Sequence, residues 1–153
     1  MKNIKIILTL TLFFSIQMLS AQKSEDYYFT KTVKGSFEGI TEKVIDELTE
    51  QGFGIITEVD LENRIKNKLG DVDIKPYKIL GPCNAEFAYE AYKLDNNIGL
   101  FLPCKVLIKD VGDNKIEVVM INPVRLLNIV DSKELEKIAI QVKAKYLAVL
   151  KNL

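Results

Sequence analysis

Histidine and tryptophan are absent from this 153-residue chain, and cysteine occurs only twice. Without histidine there is no Ser-His-Asp triad, no Cys-His pair and no zinc site that needs an imidazole. Two cysteines do not complete a four-thiolate zinc or iron–sulfur site within one chain. No glycine-rich phosphate loop of either common type occurs. Neither sign of charge dominates, since 21 Lys and Arg face 21 Asp and Glu. The composition therefore gives no electrostatic case for nucleic acid or anionic lipid as a partner. Glu58, Asp60 and Glu62 gather at a strand end, and Asp110 and Asp113 flank a turn. None has the spacing of a calcium loop, and none is singled out for acid–base work; they read as solvated turn and cap residues.

What remains is an ordinary globular composition, 48% hydrophobic and 27% charged, of a length that fits one domain. Its first 21 residues have the layout of a cleavable secretory signal. Lys2 and Lys5 form a positive start, Ile6 to Ile16 is an apolar stretch, and Leu19-Ser20-Ala21 precedes Gln22 and an abruptly polar Lys23-Ser24-Glu25-Asp26. The apolar stretch is short for a bilayer span. Leu19 stands where a small residue is usual, which leaves a cut one residue away open. No cysteine at the junction offers a lipid anchor. Cleavage after Ala21 leaves 132 residues with 19 basic and 21 acidic side chains, a net charge of −2. The expectation is export to the periplasm or the extracellular space, no membrane association after cleavage, and a single domain over residues 22–153.

Within that domain, Tyr27 to Val33 is aromatic and β-branched and predicts a strand. Ser36 is a good N-cap for a helix over 37–51, in which Phe37, Ile40, Val44 and Leu48 recur at helical spacing and Gly52 closes the run. Phe53 to Val59 predicts the second strand. Asp60 caps a short helix ended by Gly70. Lys75 to Leu80 predicts a third strand, regular from Tyr77 and ended by Gly81-Pro82; Asn84 then caps a helix over Ala85 to Leu94. Gly99 to Lys109 alternates Leu100, Leu102, Cys104, Val106 and Ile108 onto one face, interrupted at Pro103. Gly112-Asp113-Asn114 is a hairpin signal, Lys115 to Ile121 the returning strand and Asn122-Pro123 its end. Asp131 and Glu134 resemble a capping box that opens a last helix faced by Leu135, Ile138, Val142, Tyr146 and Val149. Strand, helix, four strands with short helical inserts and a final helix make an α+β pattern, with helices on one face of a mostly antiparallel sheet.

The two cysteines are the chief chemical candidates. Cys83 precedes a predicted helix N-terminus, where backbone N–H groups and the helix dipole favour a thiolate. Cys104 follows Pro103 near a strand start. If the two strands are antiparallel neighbours, strand end and strand start meet and so do the thiols. Three readings stay open: two inert buried cysteines, a structural disulfide suited to an exported chain, and a reactive or ligand-binding thiol. Tyr27, Tyr28, Tyr89 and Tyr92 are candidates for a pocket lining, with core packing the simpler role.

Gly35-Ser36-Phe37 and Gln51-Gly52-Phe53-Gly54 resemble the opening of domain-of-unknown-function family 302. The centre of that family is matched by Tyr77-Lys78-Ile79-Leu80-Gly81-Pro82-Cys83-Asn84 with Ala88, then by Ile98-Gly99-Leu100-Phe101-Leu102-Pro103-Cys104, and later by Asn122-Pro123. The resemblance implies a two-layer β-α-β4-α sandwich, akin in topology to half of the TATA-binding protein, and often a homodimer; it implies no activity and no nucleic-acid binding. Three positions depart from the family pattern: Ala85 stands after Asn84, Lys105 after Cys104, and Asn122 in place of an aspartate.

The expected function is that of an exported ligand-binding or structural module rather than an enzyme, with no cofactor or metal. Its binding residues would be Cys83, Asn84 and Cys104, around a concavity between the sheet and the third helix, and its ligand is not specified by the sequence. The alternative is thiol/disulfide or sulfur-transfer chemistry by Cys83 and Cys104. Export is checked by the intact mass of protein recovered outside the cytoplasm. That species should begin at or near Gln22, and a chain beginning at Met1 would refute the signal.

Overall fold

Local signals set most element boundaries. The computed structural model describes residues 27–153; the signal assigned to residues 1–21 lies outside them. Strand β1 (Tyr28–Lys34) leads into helix α1 (Phe37–Glu50), whose N-cap Ser36 accepts from the Gly39 N–H, and Gly52 follows with φ 84°. Strand β2 (Gly54–Asp60) ends on Asp60, which caps the short helix α2 (Leu61–Leu69) by accepting from the Asn63 N–H. Strand β3 (Tyr77–Cys83) runs directly into α3 (Ala85–Leu94), with Asn84 between them as cap. Strands β4 (Val106–Gly112) and β5 (Lys115–Ile121) form a hairpin. Asp113 and Asn114 both take positive φ there, the geometry of a type I′ turn. Short helix α4 (Pro123–Leu127) and long helix α5 (Lys133–Asn152) complete the chain.

The five strands form one sheet in the order β1-β5-β4-β3-β2, with every neighbouring pair antiparallel. Chain order therefore becomes spatial order from β2 to β5, and β1 is added at the far edge beside β5. Helices α1 and α5 lie side by side over one face. They run antiparallel, as shown by Lys145 Nζ donating to Gln51 O (2.9 Å), Asn152 Nδ2 to Glu47 Oε2 (2.8 Å) and Lys43 Nζ to Leu153 O (3.1 Å). The main core forms between them and the sheet: Ile40, Val44 and Leu48 of α1, Val142, Tyr146 and Val149 of α5, Leu80 of β3, and alternate residues Val106, Ile108, Ile116, Val118 and Met120 of the hairpin. A second cluster of Ala91, Ile98, Leu135 and Ile138 joins α3 to the upper half of α5.

Three sequence expectations are corrected and one is extended. The alternation from Gly99 onward is not one strand. Ile98–Phe101 is a 3-10 turn, Leu100 is 86% exposed, and regular pairing begins only at Val106, because Pro103 has no N–H to give to a ladder. Gly81-Pro82 does not end β3. Both residues pair with β2, opposite a register shift between Ile55 and Thr57, and a bulge is where a sheet accepts proline. Asn122-Pro123 ends β5 but also starts α4, with Asn122 accepting from the Val124 N–H and proline at the first helical position. The cap of α5 is Ser132, which accepts from the Leu135 N–H; Asp131 takes a left-handed conformation instead (φ 48°).

The sheet's other face carries a cross-strand apolar row. Val59 pairs with Ile79, Ile79 with Leu107, and Leu107 with Val119. Ile40, Val44 and Leu48 of α1 and Val142, Tyr146 and Val149 of α5 pack into the main core on the opposite face.

Candidate functional site

The site grows from the end of β3. At Gly81 an added Cβ would meet the Thr57 side chain and lie 2.7 Å from Cγ of Pro103. Only glycine leaves room there for the Pro103 ring to sit against the strand. Two residues on, Cys83 closes β3, and Asn84 turns the chain into α3. Both polar atoms of the Asn84 side chain are engaged: Oδ1 accepts from the N–H groups of Glu86 and Phe87 (3.1 Å each), and Nδ2 donates to Gly52 O (2.9 Å). It pins α3 to the α1–β2 turn.

Between the core clusters lies a cavity of about 50 Å³. Both cysteines line it, and Asn84 sits on its edge. Phe87 and Ala91 of α3, Leu102, Leu127 of α4 and Val142 of α5 supply much of the remaining, almost wholly apolar wall. The structure thus brings together all three residues selected from the sequence: Cys83, Asn84 and Cys104. It places the exposed tyrosines elsewhere. Tyr27, Tyr89 and Tyr92 are 60%, 63% and 56% exposed, and Tyr28 is on β1 at the opposite sheet edge.

Both thiols are free and half-buried, and Cys104 is the deeper. Burial raises the Cys83 pKa above its ordinary value. The downward pull expected from the helix terminus does not prevail over burial, and Asn84 Oδ1 already occupies the N–H groups of Glu86 and Phe87. The Cys83 thiol instead makes a long contact to Asn84 O (3.9 Å). Burial raises the Cys104 pKa too, with partial relief from the Tyr146 hydroxyl.

Tyr146 is the residue that sequence reasoning missed. It was legible only as one member of the α5 apolar stripe. Its ring is fully buried and packs on Phe53 with centroids 5.2 Å apart. Its hydroxyl has no hydrogen-bond partner of normal geometry; it abuts the Cys104 thiol, a weak donor and weaker acceptor. Leaving such a group unsatisfied costs roughly 1–3 kcal/mol. Burial raises the phenol pKa well above the ordinary tyrosine value, and proximity to Cys104 and Cys83 adds to the shift. Among the described residues no group of three or more His, Cys, Asp or Glu is arranged to hold a metal ion.

Together these features define a small α+β domain with a thiol-lined apolar cavity beneath its third helix. Residues 29–153 match the family model described as domain of unknown function DUF302, and the chain belongs to that family. It is also similar to the crystal structure of an uncharacterized conserved DUF302 protein from Bacillus stearothermophilus. That likeness has a TM-score of 0.74 at 23% identity and covers 81% of this chain and 95% of the other. At that identity it bears on the fold alone. No curated protein matches the chain.

The upward shift of both thiols sets their reactivity. Alkylation of the reduced, folded protein should be slow at neutral pH and should rise only above the free-cysteine value of about 8.5. Stopped-time alkylation followed by mass spectrometry, repeated across pH, checks this. Fast modification of Cys83 with an apparent pKa below that value would show an activated thiolate instead.

Proposed function

We propose that the protein is an exported, non-enzymatic binding module whose cavity takes a small apolar ligand. The observation that carries this reading is the cavity wall. Residues from β3, α3, α4, α5 and the Leu102–Cys104 segment converge on it, and apart from the thiols and the edge-bound Asn84 they are apolar. A void this small accommodates the end of an alkyl chain rather than a whole drug-sized molecule. Asn84 would act by holding α3 in place, since its polar atoms are already engaged, and Cys83 and Cys104 would form part of the wall. Export rests on the layout of the first 21 residues.

Calorimetric titration with a series of straight-chain alkanols tests the cavity. Saturable binding with a negative heat-capacity change is expected. Ala91→Leu should abolish it by filling the void while costing about 1–3 kcal/mol of stability through overpacking. Absence of saturable heat across the series, or binding undiminished in the variant, would refute the reading.

A second reading concerns assembly and rests on the row Val59, Ile79, Leu107 and Val119. Strands that are apolar on both faces suit a sheet covered on both faces. We propose that a second copy of the chain covers the outer face. A sheet of this size presents roughly 500 Å², somewhat below the ~800 Å² per partner of a standard interface, so a concentration-dependent homodimer is expected. Sedimentation velocity should show the dimer, and Leu107→Glu should render it monomeric; a monomer at every concentration would refute it.

A further inference from the structure

We propose that Cys83 and Cys104 form a reversible dithiol–disulfide pair, in which Cys83 is the sulfur attacked from outside and the Tyr146 hydroxyl receives the Cys104 sulfur when it departs. The proposal goes beyond the binding reading and does not depend on it.

Three observations converge. Both thiols line the same cavity. The β3–β4 ladder ends with Leu80 opposite Val106. Beyond that point the Pro103 ring packs at Gly81, two residues before Cys83, and keeps the segment that carries Cys104 beside the end of β3. The third observation is the Tyr146 hydroxyl, fully buried, without a hydrogen-bond partner and set against Cys104. A neutral thiol satisfies such an O–H poorly. A thiolate is a far better acceptor, because hydrogen bonds to charged acceptors are the strong ones. The orphaned donor therefore stands where negative charge appears when a Cys83–Cys104 bond breaks.

The depth of the two sulfurs orders the steps. In oxidation by a small-molecule disulfide, the Cys83 thiolate attacks one sulfur of the reagent. The reagent S–S bond breaks, and one thiol departs with the proton lost by Cys83. The Cys104 sulfur then displaces the second reagent thiol from Cys83, and the proton lost by Cys104 goes to that thiol. Two electrons and two protons have then passed to the reagent, giving two molecules of thiol. In reduction, an external thiolate attacks Cys83, the outer sulfur. Cys104 leaves as a thiolate and accepts the Tyr146 O–H, and a second thiol resolves the mixed disulfide.

The test equilibrates the purified protein with mixtures of reduced and oxidised dithiothreitol, quenches with an alkylating agent and reads intact mass. The oxidised monomer should be about 2 Da lighter, the mass of two hydrogens, and should refuse alkylation along a single two-electron transition. The chain has no third cysteine, so a monomer of that mass identifies the bridge. With a glutathione couple, Cys104→Ser should trap a mixed disulfide on Cys83, and Cys83→Ser should leave Cys104 a free thiol. Tyr146→Phe keeps the ring and removes only the hydroxyl. It should slow reductive cleavage of the Cys83–Cys104 bond by excess dithiothreitol about tenfold, because the departing Cys104 thiolate loses its donor, and leave the midpoint at the wild-type value, because both thiols are protonated in the reduced state at neutral pH. In the Cys104→Ser background it should leave the rate of mixed-disulfide formation at Cys83 unchanged, a result that a general loosening of the core would not give. Two alkylated thiols at every potential would overturn the pair. A wild-type rate of reduction in Tyr146→Phe would overturn the role of the hydroxyl.

Discussion

A proline cannot give an N–H to a β-ladder, and the site depends on that constraint acting at Pro103. Regular pairing of β4 is held off until Val106, while β5 continues past it, its Ile121 N–H donating to Lys105 O. The segment before Val106 is thereby free of the sheet's alternation. Pro103 seats against Gly81, and Cys104 packs on the core next to Tyr146. A regular strand through these residues would have prescribed strict alternation from Leu100 to Ile108 and left no irregular wall for the cavity.

Helix α5 links this local event to the rest of the molecule. Its single apolar stripe serves two clusters: Val142, Tyr146 and Val149 pack on the sheet, while Leu135 and Ile138 pack under α3. The cavity occupies the seam between them. Side chains on the two sides of the seam answer to different elements, the sheet on one and α3 on the other, and a void persists where neither set reaches across. Asn84 spans the same seam with hydrogen bonds, capping α3 while holding Gly52 O. Its type is thus explained by architecture as well as by its place at the cavity edge.

Elements with strong local signals were readable in advance. The caps at Ser36, Asp60 and Asn84, the I′ turn at Asp113-Asn114 and the α5 stripe each rest on interactions among residues close in the chain. The neighbour rule for sequential strands also pointed to Cys83 and Cys104, and both line one cavity, although β3 runs on through Pro82 and β4 starts only at Val106, against the strand end and start assumed for them. The two strand misreadings have different causes: at Gly99–Cys104 the proline keeps the segment off the ladder, whereas at Gly81-Pro82 a register shift in β2 lets the proline stay within β3. The effect expected of the α3 terminus on Cys83 is outweighed by burial of the thiol, while the Asn84 side chain takes the Glu86 and Phe87 N–H groups.

The sequence by itself determined the α+β class, the order and approximate extent of the strands and the exclusion of histidine-dependent chemistry. These follow from periodicity, turn residues and composition, which act at short range. Only the tertiary structure decided that β1 joins the sheet beside β5, that the two thiols share one apolar wall, and that the Tyr146 hydroxyl stands buried against Cys104 without a partner. Each of these is a relation between residues far apart in the chain. Tyr146 and Cys104 meet because α5 returns across the sheet at the point where Pro103 has delayed β4. Neither residue carries a local mark of the other, and a tyrosine in an apolar helical stripe reads as packing until the fold shows what its hydroxyl faces.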